Sequence, residues 1–398
     1  MKISIFSDCH CGYAYGEERG NDSFIALNES IEKSMDSDLI LIAGDVFDSR
    51  VPRPEIFART ARILSKAQHI PNNTKLIDVI KKNKEDISPL SLRGIPIVCI
   101  HGTHERRTKY MVNPIQALEH AGLLIHLHCN TVVFDVNGRK VAVHGMSGVP
   151  ERYAGDCLLN WNPRPVEGAL NILMLHQSVD PYIYSPLDPP TIKLEDFPEG
   201  FDLYVLGHIH WSEHKPLKQG TLLLAGSTTY TSMHRLEMEE KKRIYKYYDN
   251  ELHTVNLENQ RNIYWSELDF TRNVVPMIEE KLMAIPSLKP KPIAVFKIKG
   301  TVPKDMTMPN FSEIERNYSH KAIVKIKKKL KTEKLEEQIE LIKKLREQKL
   351  SPEEQGLHIL QDNLKQVNCG INIEEMFEML VNGETENIYN LLMGKKSD

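Results

Sequence analysis

The sequence is poor in cysteine, and its cysteines are scattered. Six occur in 398 residues, and no two have the CxxC spacing of zinc knuckles and dithiol redox sites: Cys9, Cys11, Cys99, Cys129, Cys157 and Cys369. This pattern favours reduced thiols. Cys9 and Cys11 flank His10, but alternate side chains of an extended segment leave on opposite faces of the chain. We therefore expect that neither cysteine binds a metal.

Long apolar runs are also missing. No stretch approaches 18 uninterrupted apolar residues, so no membrane-spanning segment is predicted. The N-terminus runs directly into Lys2-Ile-Ser-Ile-Phe without a basic and apolar leader. A GxxxxGK[ST] stretch is absent as well, so the chain is not expected to hydrolyse ATP. We expect a cytoplasmic protein that does not bind a membrane.

The sequence lacks a strong excess of either charge. Its 51 basic and 54 acidic residues leave a formal net charge of −3. This balance does not by itself indicate a nucleic-acid-binding protein. Any contact with DNA must therefore come from local basic patches and from metal ions.

The sequence does contain enough apolar material for a sizeable core. Apolar residues make up 41% of it, and its length favours two or three domains. The first 260 or so residues alternate short β-branched runs with helix-like stretches, which is typical of a layered α/β fold. Strands are predicted at 2–7, 39–43, 95–100, 131–134, 140–144, 172–176, 203–207 and 221–225. The polar segment between Gln68 and Gly94 is predicted to be a helix-containing surface insertion.

The sequence pattern changes at about residue 262. Strands are predicted at 263–270, 293–299 and 322–326, with a helix at 275–285, and together they indicate a small α+β domain. The basic run 325–334 follows. It could be a solvated linker or helix face, or it could bind along the phosphate backbone of a nucleic acid. Apolar residues then recur at helical spacing over 335–345, and Ser351-Pro352-Glu353-Glu354 predicts the start of another helix.

Five short segments that contain carboxylates or histidines lie just past predicted strands. They are Asp8-Cys9-His10, Gly44-Asp45-Val46-Phe47-Asp48, Gly102-Thr103-His104-Glu105, the single His176, and Gly207-His208-Ile209-His210. Carboxylates and imidazoles delivered from strand ends suit divalent transition metals such as Mn²⁺ or Fe²⁺. Two such ions can hold both the attacking and the leaving oxygen of a phosphoryl displacement. Each motif alone is weak, since a histidine at a strand end is usually structural, but the ordered set favours a metal site.

These motifs resemble those of the calcineurin-like metallophosphoesterases, whose pattern is DxH, GDxxD, GNH(D/E), a lone His and GHxH. The order of core, small domain and charged tail, with the strings LMLHQSVDPY and YVLGHIHW, is similar to the Mre-eleven/SbcD nucleases of double-strand-break repair. The resemblance covers roughly the first 260 residues by motif. It implies a four-layer αββα fold, a β-sandwich flanked by helices, with a small α+β capping domain and a helical C-terminal tail.

The resemblance implies a division into a nuclease core at 1–260, a DNA-binding capping domain at 261–326, and a basic linker with helical tail at 327–398. It implies a manganese-dependent exonuclease on double-stranded ends and endonuclease on single strands. Two Mn²⁺ ions per chain are expected, with Mg²⁺ or Fe²⁺ as the other candidates. The expected partners are DNA, a Rad-fifty/SbcC-like coiled-coil ATPase that docks on the tail from about residue 335, and a second copy of the chain. Dimerisation is expected through helices at 54–67 and 113–121.

Site residues follow from the same resemblance. One metal would be held by Asp8, His10, Asp45 and His210, and the other by Asp45, Thr103, His176 and His208. His104 would be the catalytic histidine, which stabilises charge on the phosphate or protonates the leaving 3′ oxygen. Arg106 and Arg107 follow it directly and could grip a DNA phosphate, although a solvated surface role is open for both.

The sequence departs from the family pattern at two positions. Thr103 stands where the family has asparagine, so one ligand is expected to be weak or replaced by water. Asp48 stands where the nuclease branch often has a second histidine, and it cannot act as an imidazole acid. It could affect catalysis directly, cap the following helix, or accept a hydrogen bond from a metal-binding histidine. Two alternatives remain: a phosphodiesterase for small or cyclic-nucleotide substrates, and a catalytically weak scaffold that binds DNA ends.

Overall fold

The computed structural model describes residues 1–108, 111–184, 191–302, 308–332, 357, 360–361, 373–381, 384 and 388–389. The chain divides into two compact units. The first contains Met1–Trp265 and Leu288–Ile293, and the second contains Ser266–Ser287 and the chain from Ala294 onward. Among the described residues, no helix combines the length and the apolar character needed to span a bilayer.

Two sheets form the centre of the first unit. The six-stranded sheet has the order β13-β12-β1-β2-β4-β5, and its strands are β1 (Ile3–Phe6), β2 (Leu39–Ile42), β4 (Ile97–Ile100), β5 (Ile125–Leu127), β12 (Arg243–Tyr248) and β13 (Glu251–Asn256). Strands β1, β2, β4 and β5 pair in parallel. Their carboxyl ends therefore lie along one edge of the sheet.

The seven-stranded sheet has the order β10-β11-β9-β8-β7-β6-β3. Its strands are β3 (Lys75–Ile80), β6 (Asn130–Val136), β7 (Arg139–Met146), β8 (Ala169–His176), β9 (Leu203–Gly207), β10 (Glu213–Pro216) and β11 (Thr221–Leu224). Strands β7, β8, β9 and β11 pair in parallel. The central strands are almost continuously apolar because both faces of this sheet are buried.

Helices α1 (Asp22–Lys33), α2 (Pro54–Leu64) and α3 (Pro114–His120) pack against the first sheet, and α4 (Glu151–Trp161) packs against the second. The short helix α5 (Arg235–Glu239) lies between β11 and β12 in the chain. Helix α3 begins with a capping box, in which the Asn113 side chain accepts from the Gln116 amide and the Gln116 side chain accepts from the Asn113 amide. Pro114 occupies its first turn, where a missing amide hydrogen costs nothing.

Three buried clusters hold these layers together. Ile5 and Leu41 of the first sheet pack against Val143 and Val205 of the second, between the sheets. Phe6 points the opposite way, as a period of two requires, and joins the cluster beneath α1 and α2. The third cluster lies between the second sheet and α4. The layer order is thus helix, sheet, sheet, helix, and the predicted αββα arrangement is confirmed.

All eight strands predicted for the first unit are present. The segment 68–94 differs from its prediction, because it contributes β3 and two short 3-10 helices at Lys84–Asp86 and Pro89–Leu92. Strand β3 lies at a sheet edge, so most of its side chains are exposed and its sequence lacks an apolar signal. Strands β5, β10, β12 and β13 were not predicted. Of these, β5 is short and the outer strands β10 and β13 carry polar residues.

The second unit is an α+β arrangement. Its three-stranded sheet has the order β14-β15-β16, with β14 (Ile263–Asp269), β15 (Ile293–Val302) and β16 (Ile323–Thr332). Its helices are α6 (Val274–Ala284), α7 (Phe311–Asn317) and α8 (Ile373–Val381). Strand β16 extends to Thr332 and so includes residues 327–332, which were predicted to belong to a basic linker. The helices predicted over 335–345 and from Ser351 lie outside the described residues, apart from isolated positions of the second.

Candidate metal centre

The predicted site residues follow the ends of parallel strands in both sheets. Asp8 and His10 follow β1, Asp45 follows β2, and His208 follows β9. His176 is the last residue of β8. Residues of the first sheet contact residues of the second. His176 Nε2 lies 3.2 Å from Asp45 Oδ2, and the His208 amide donates to Asp8 Oδ2 at 3.0 Å. The strand ends of the two sheets therefore meet at one site.

The backbone of this site adopts conformations that side-chain-bearing residues rarely take. The φ angles are +51° at Asp8, +47° at His10, +47° at Asp45 and +83° at His208. Such left-handed conformations carry strain and occur preferentially at functional sites. They turn the backbone sharply at the end of each strand, so that the side chains of the loops point toward a common site.

Two glycines permit the close approach of the loops. A side chain at Gly102 would overlap the Asp45 carboxylate, and a side chain at Gly44 would overlap the His176 ring. Gly44 also has a φ of +99°. Glycine is therefore required at both motifs, for space at Gly102 and for both space and backbone conformation at Gly44.

The first cluster of ligand atoms contains Asp8, His10 and His210. The two Nε2 atoms of the histidines lie 3.1 Å apart, and Asp8 Oδ1 lies 3.8 Å from that of His10 and 3.6 Å from that of His210. The other ring nitrogens are engaged: His10 Nδ1 lies 3.0 Å from Asp48 Oδ1, and His210 Nδ1 lies 2.8 Å from the Thr231 hydroxyl. An ionised carboxylate only accepts, so His10 Nδ1 carries the hydrogen and, in the neutral ring, Nε2 presents a lone pair.

The second cluster contains Asp45, His176 and His208. His176 Nδ1 donates to the Ala43 carbonyl at 2.7 Å, so in the neutral ring its Nε2 presents a lone pair toward Asp45. A further group joins Asp45 with His10 and His104. Asp45 thus belongs both to the group with His10 and to the group with His176 and His208, as a carboxylate that bridges two ions must.

These ligand atoms fit divalent metal ions. Asp8 Oδ1 and His176 Nε2 are buried, and neither has a hydrogen-bond partner among the described residues. Buried polar atoms require a partner, and several lone pairs that converge on one point require a cation. The donor set of carboxylates and imidazoles suits Mn²⁺, Fe²⁺ or Zn²⁺. Asp8, His10, His210 and Asp45 would hold one ion, and Asp45, His176 and His208 would hold the other.

The electrostatics of the site favour ionised aspartates. Burial raises the pKa of Asp45, but the charge and hydrogen bond of His176, together with the nearby His10 and His104, hold that pKa well below its ordinary value. The same competition lowers the pKa of Asp8. Both carboxylates are therefore available as anionic ligands. Burial lowers the pKa of His208 to about 4, so this ring is neutral and its lone pair is free for a metal.

Thr103 and His104 occupy different positions around Asp45. The Thr103 hydroxyl donates to Asp45 Oδ2 at 3.4 Å, and the His104 amide donates to Asp45 Oδ1 at 2.9 Å. The His104 ring is half-exposed, with its Nδ1 donating to the Asp48 carbonyl at 3.1 Å. Its Nε2 is thereby left for solvent or substrate. Thr103 thus contacts the bridging carboxylate, and His104 is presented at the mouth of the site.

Asp48 connects two of the histidines. Its Oδ1 lies 3.0 Å from His10 Nδ1 and 3.6 Å from His104 Nδ1. Of the alternatives that the sequence left open, the structure contains the hydrogen bond to a predicted metal-binding histidine. It does not contain the helix cap, because α2 begins at Pro54 with Arg53 as its N-cap residue.

Arg106 and Arg107 follow Glu105 directly in the sequence, and a guanidinium group has no lone pair to offer a metal. Both are partly exposed. Burial and the charge of Arg50 lower the pKa of Arg106. Arg107 contacts Met111 Sδ at 3.2 Å. Neither arginine contributes to the ligand set.

Glu105 has a role that its motif did not reveal. Its fully buried carboxylate accepts from the Phe47 amide at 2.8 Å and from the Gly102 amide at 2.9 Å. Burial, followed by the charge of Asp45, raises the pKa of Glu105 to about 8. Glu105 therefore braces the second and third motif loops against each other. Its place beside His104 was the only signal in the sequence.

A network around His210 was not predicted either. The Thr231 amide donates to the buried Glu237 carboxylate at 2.9 Å, and Lys242 Nζ donates to the same carboxylate at 3.1 Å. Lys242 also donates to the His210 carbonyl at 3.3 Å. Tyr184 accepts from the His210 amide at 2.8 Å and donates to the His208 carbonyl at 3.2 Å. These residues belong to no spaced motif, so only the folded chain identifies them.

Known proteins resemble this chain in sequence. The family model of calcineurin-like phosphoesterases matches residues 1–212. The chain is 30% identical over 230 residues to the DNA double-strand break repair protein Mre11 of Methanopyrus kandleri, covering 53% of this chain and 44% of that relative. It is 26% identical over 341 residues to the protein of that name from Sulfolobus acidocaldarius, covering 82% of each chain. For the Thermoplasma acidophilum protein the identity is 25%, covering 78% of this chain and 80% of the relative. The chain thus spans less than half of the Methanopyrus kandleri protein and about four fifths of each of the other two.

Proposed function

The chain belongs to the calcineurin-like phosphoesterase family, and on this premise we propose that it is a manganese-dependent DNA nuclease that processes double-strand breaks. The proposed activities are exonuclease cleavage at double-stranded ends and endonuclease cleavage of single strands. The repair proteins named among its relatives support DNA as the substrate. The two-metal ligand set supports hydrolysis of a phosphodiester.

The observation that carries this proposal is the position of Asp45. Its carboxylate lies between the group that contains His10 and the group that contains His176 and His208. A carboxylate shared by two ligand groups is what a two-metal phosphoesterase needs. Metal ions bound there would neutralise charge on the phosphate and lower the pKa of bound water.

The protein itself would position the substrate and move a proton. His104 is aimed outward, with Nδ1 held by the Asp48 carbonyl and the backbone held by Asp45. Its Nε2 could therefore donate to a phosphate oxygen or to the leaving 3′ oxygen. Asp48 would orient the His10 and His104 rings, and Glu105 would keep the two motif loops in register. Thr103 would tune the second metal position through Asp45.

DNA and protein partners belong to the same proposal. Arg106 and Arg107 would contact phosphates of the strand that enters beside His104. The second unit would contact DNA, and the chain from about residue 335 would dock on a coiled-coil ATPase of the Rad-fifty/SbcC kind. Two copies of the chain would associate through α2 and α3. Exposed apolar residues near the two helices support this, namely Val51, Met111 and Val112, which are 63%, 54% and 52% exposed.

The decisive experiment compares substrates under one metal condition. Linear duplex DNA and circular single-stranded DNA are incubated with Mn²⁺ and the full chain, in parallel with bis-p-nitrophenyl phosphate and cyclic AMP. The proposal expects cleavage of both DNA forms. Turnover of the small esters alone would instead support a small-substrate phosphodiesterase. Retained DNA binding without any hydrolysis at saturating Mn²⁺ would support a DNA-end-binding scaffold.

A further inference from the structure

Two cysteines far apart in sequence meet near the surface of the first unit. Cys129 lies in the turn between β5 and β6, and Cys157 lies on α4, 28 residues later. Their sulfur atoms are 3.6 Å apart. Both side chains border the buried cluster between the second sheet and α4. The contact therefore joins a helix to the end of the sheet on which it packs.

The accessibility of this pair differs from that of the other described cysteines. Cys129 and Cys157 are partly exposed, whereas Cys9, Cys11 and Cys99 are at most 1% exposed. Burial raises the pKa of these three thiols, and raises that of Cys11 to about 12. Thiols that are buried and protonated react slowly, so a water-soluble thiol reagent would react with Cys129 and Cys157 before these three.

The two sulfurs are also chemically unequal. A hydrogen bond from the Cys129 thiol lowers the pKa of Cys157 to about 7. The same contact raises the pKa of Cys129. Because the thiolate is the nucleophile in disulfide exchange, Cys157 is the attacking residue and Cys129 is the resolving residue.

We propose that Cys129 and Cys157 are a reversible disulfide site, oxidised by a small-molecule disulfide of the glutathione type. The Cys157 thiolate attacks the reagent, forms a mixed disulfide, and expels one reagent thiolate. Cys129 then loses its proton to solvent, and its thiolate attacks Cys157 Sγ and expels the second reagent thiolate. The protein loses two electrons, and the reagent disulfide gains them. The sulfurs need to approach by roughly 1.5 Å, which side-chain rotation with a small shift of α4 supplies.

The consequence concerns the segment that connects β7 to α4. The Gly148 amide donates to the His101 carbonyl at 2.7 Å, and Gln177 Nε2 donates to the Val149 carbonyl at 2.9 Å. Glu151 at the start of α4 accepts from the Ser178 amide at 3.3 Å. This segment therefore contacts both the loop that carries His104 and the loop that follows His176. A disulfide at Cys157 would tether α4, the helix into which this segment leads.

The test uses the full chain with Cys369→Ser, so that the remaining cysteines are the pair and the buried Cys9, Cys11 and Cys99. The protein is equilibrated, with a chelator present, in glutathione buffers from fully reduced to fully oxidised, then quenched with acid and alkylated. Peptide mass spectrometry is expected to find one cross-linked pair, Cys129 with Cys157, whose fraction rises with the oxidised share of the buffer and reverses on reduction. Amide hydrogen exchange within α4 is expected to slow by on the order of tenfold in the oxidised form.

Two variants serve as controls. Cys129→Ser leaves the attacking thiol without its resolving partner, so it should accumulate the glutathione adduct on Cys157. Cys157→Ser should remain unmodified for longer. The proposal is overturned if the parent chain stops at the glutathione adduct, if it stays fully reduced in the most oxidised buffer, or if cross-links arise only after unfolding. Unchanged exchange in α4 of the cross-linked chain would remove the proposed tether.

Discussion

The Nε2 atoms of His10 and His210 face each other at 3.1 Å, although 200 residues separate them in sequence. Asp48 holds the opposite nitrogen of His10, and Thr231 holds that of His210. With both Nε2 atoms unprotonated, two imidazole lone pairs this close, beside the Asp8 carboxylate, are stabilised by a shared cation. This relationship makes metal binding the first property to test.

Metal removal is expected to destabilise the protein. Added Mn²⁺ binds the folded chain and stabilises it by about 2.7 kcal/mol when free metal is 100 times its Kd. Thermal unfolding of chelator-treated protein should therefore shift upward by several degrees on addition of Mn²⁺. His210→Ala, which removes one of the facing nitrogens, should show a smaller shift. Equal melting temperatures with and without Mn²⁺ would contradict the metal assignment.

Asp45→Ala is expected to abolish turnover. Without the shared carboxylate neither ion is properly held, and the His104 amide and Thr103 hydroxyl also lose their acceptor. Nuclease assays at several Mn²⁺ concentrations provide the measurement. Asp36→Ala is a matched control, because Asp36 is exposed and pairs with Lys2 away from the ligand clusters. Activity near that of the parent chain in Asp45→Ala would disprove a two-metal site here.

His104→Ala should reduce turnover by about 10²–10⁴-fold, the usual range for loss of a general acid or base. The ring is half-exposed and its Nδ1 is occupied by the Asp48 carbonyl, so we assign it to the reacting phosphate and not to metal retention. Calorimetric titration should therefore find both Mn²⁺ ions still bound. Loss of an ion in this variant would instead make His104 a ligand, consistent with its grouping beside His10 and Asp45.

Thr103→Asn is expected to tighten the second metal position. An amide oxygen is a good neutral ligand, whereas the Thr103 hydroxyl points to Asp45 Oδ2 at 3.4 Å. About 1 kcal/mol is at stake, the usual contribution of one neutral contact. The Mn²⁺ concentration for half-maximal DNA cleavage should fall accordingly. Two equally tight sites in the parent chain, with no gain in the variant, would show that Thr103 is not the weak ligand.

Thr231→Val should weaken Mn²⁺ binding by about 10- to 100-fold, the range found when a partner of a metal-binding histidine is lost. The change keeps the shape of the side chain and removes the hydroxyl that lies 2.8 Å from His210 Nδ1. The Thr231 amide can still donate to Glu237, so the fold should persist. Calorimetry with Mn²⁺ supplies the affinity, and Thr229→Val controls for loss of a nearby threonine hydroxyl. An unchanged affinity for Mn²⁺ would show that the hydrogen bonds around His210 stabilise the fold without affecting metal binding.

The sequence by itself determined the central strands of the first unit and the types of side chain at their ends. Apolar periodicity located the strands that end at Phe6, Ile42 and His176, because the signal for a buried strand is contained within a few residues. The motif residues Asp8, Asp45 and His208 stand at such strand ends, so the ligand types followed from local sequence. Strand β3 was missed because an exposed edge strand carries no such signal.

Only the tertiary structure decided which side chains act on one another. Asp48 contacts His10 and His104, Glu105 joins two loops, and Thr231 reaches His210 from a later segment. These contacts depend on the order of strands in two sheets, which no local pattern encodes. The proximity of Cys129 and Cys157 has the same origin, since it exists only where α4 packs on the end of the sheet. Local sequence sets which groups are available, and the long-range packing of strands and helices sets the distances between them.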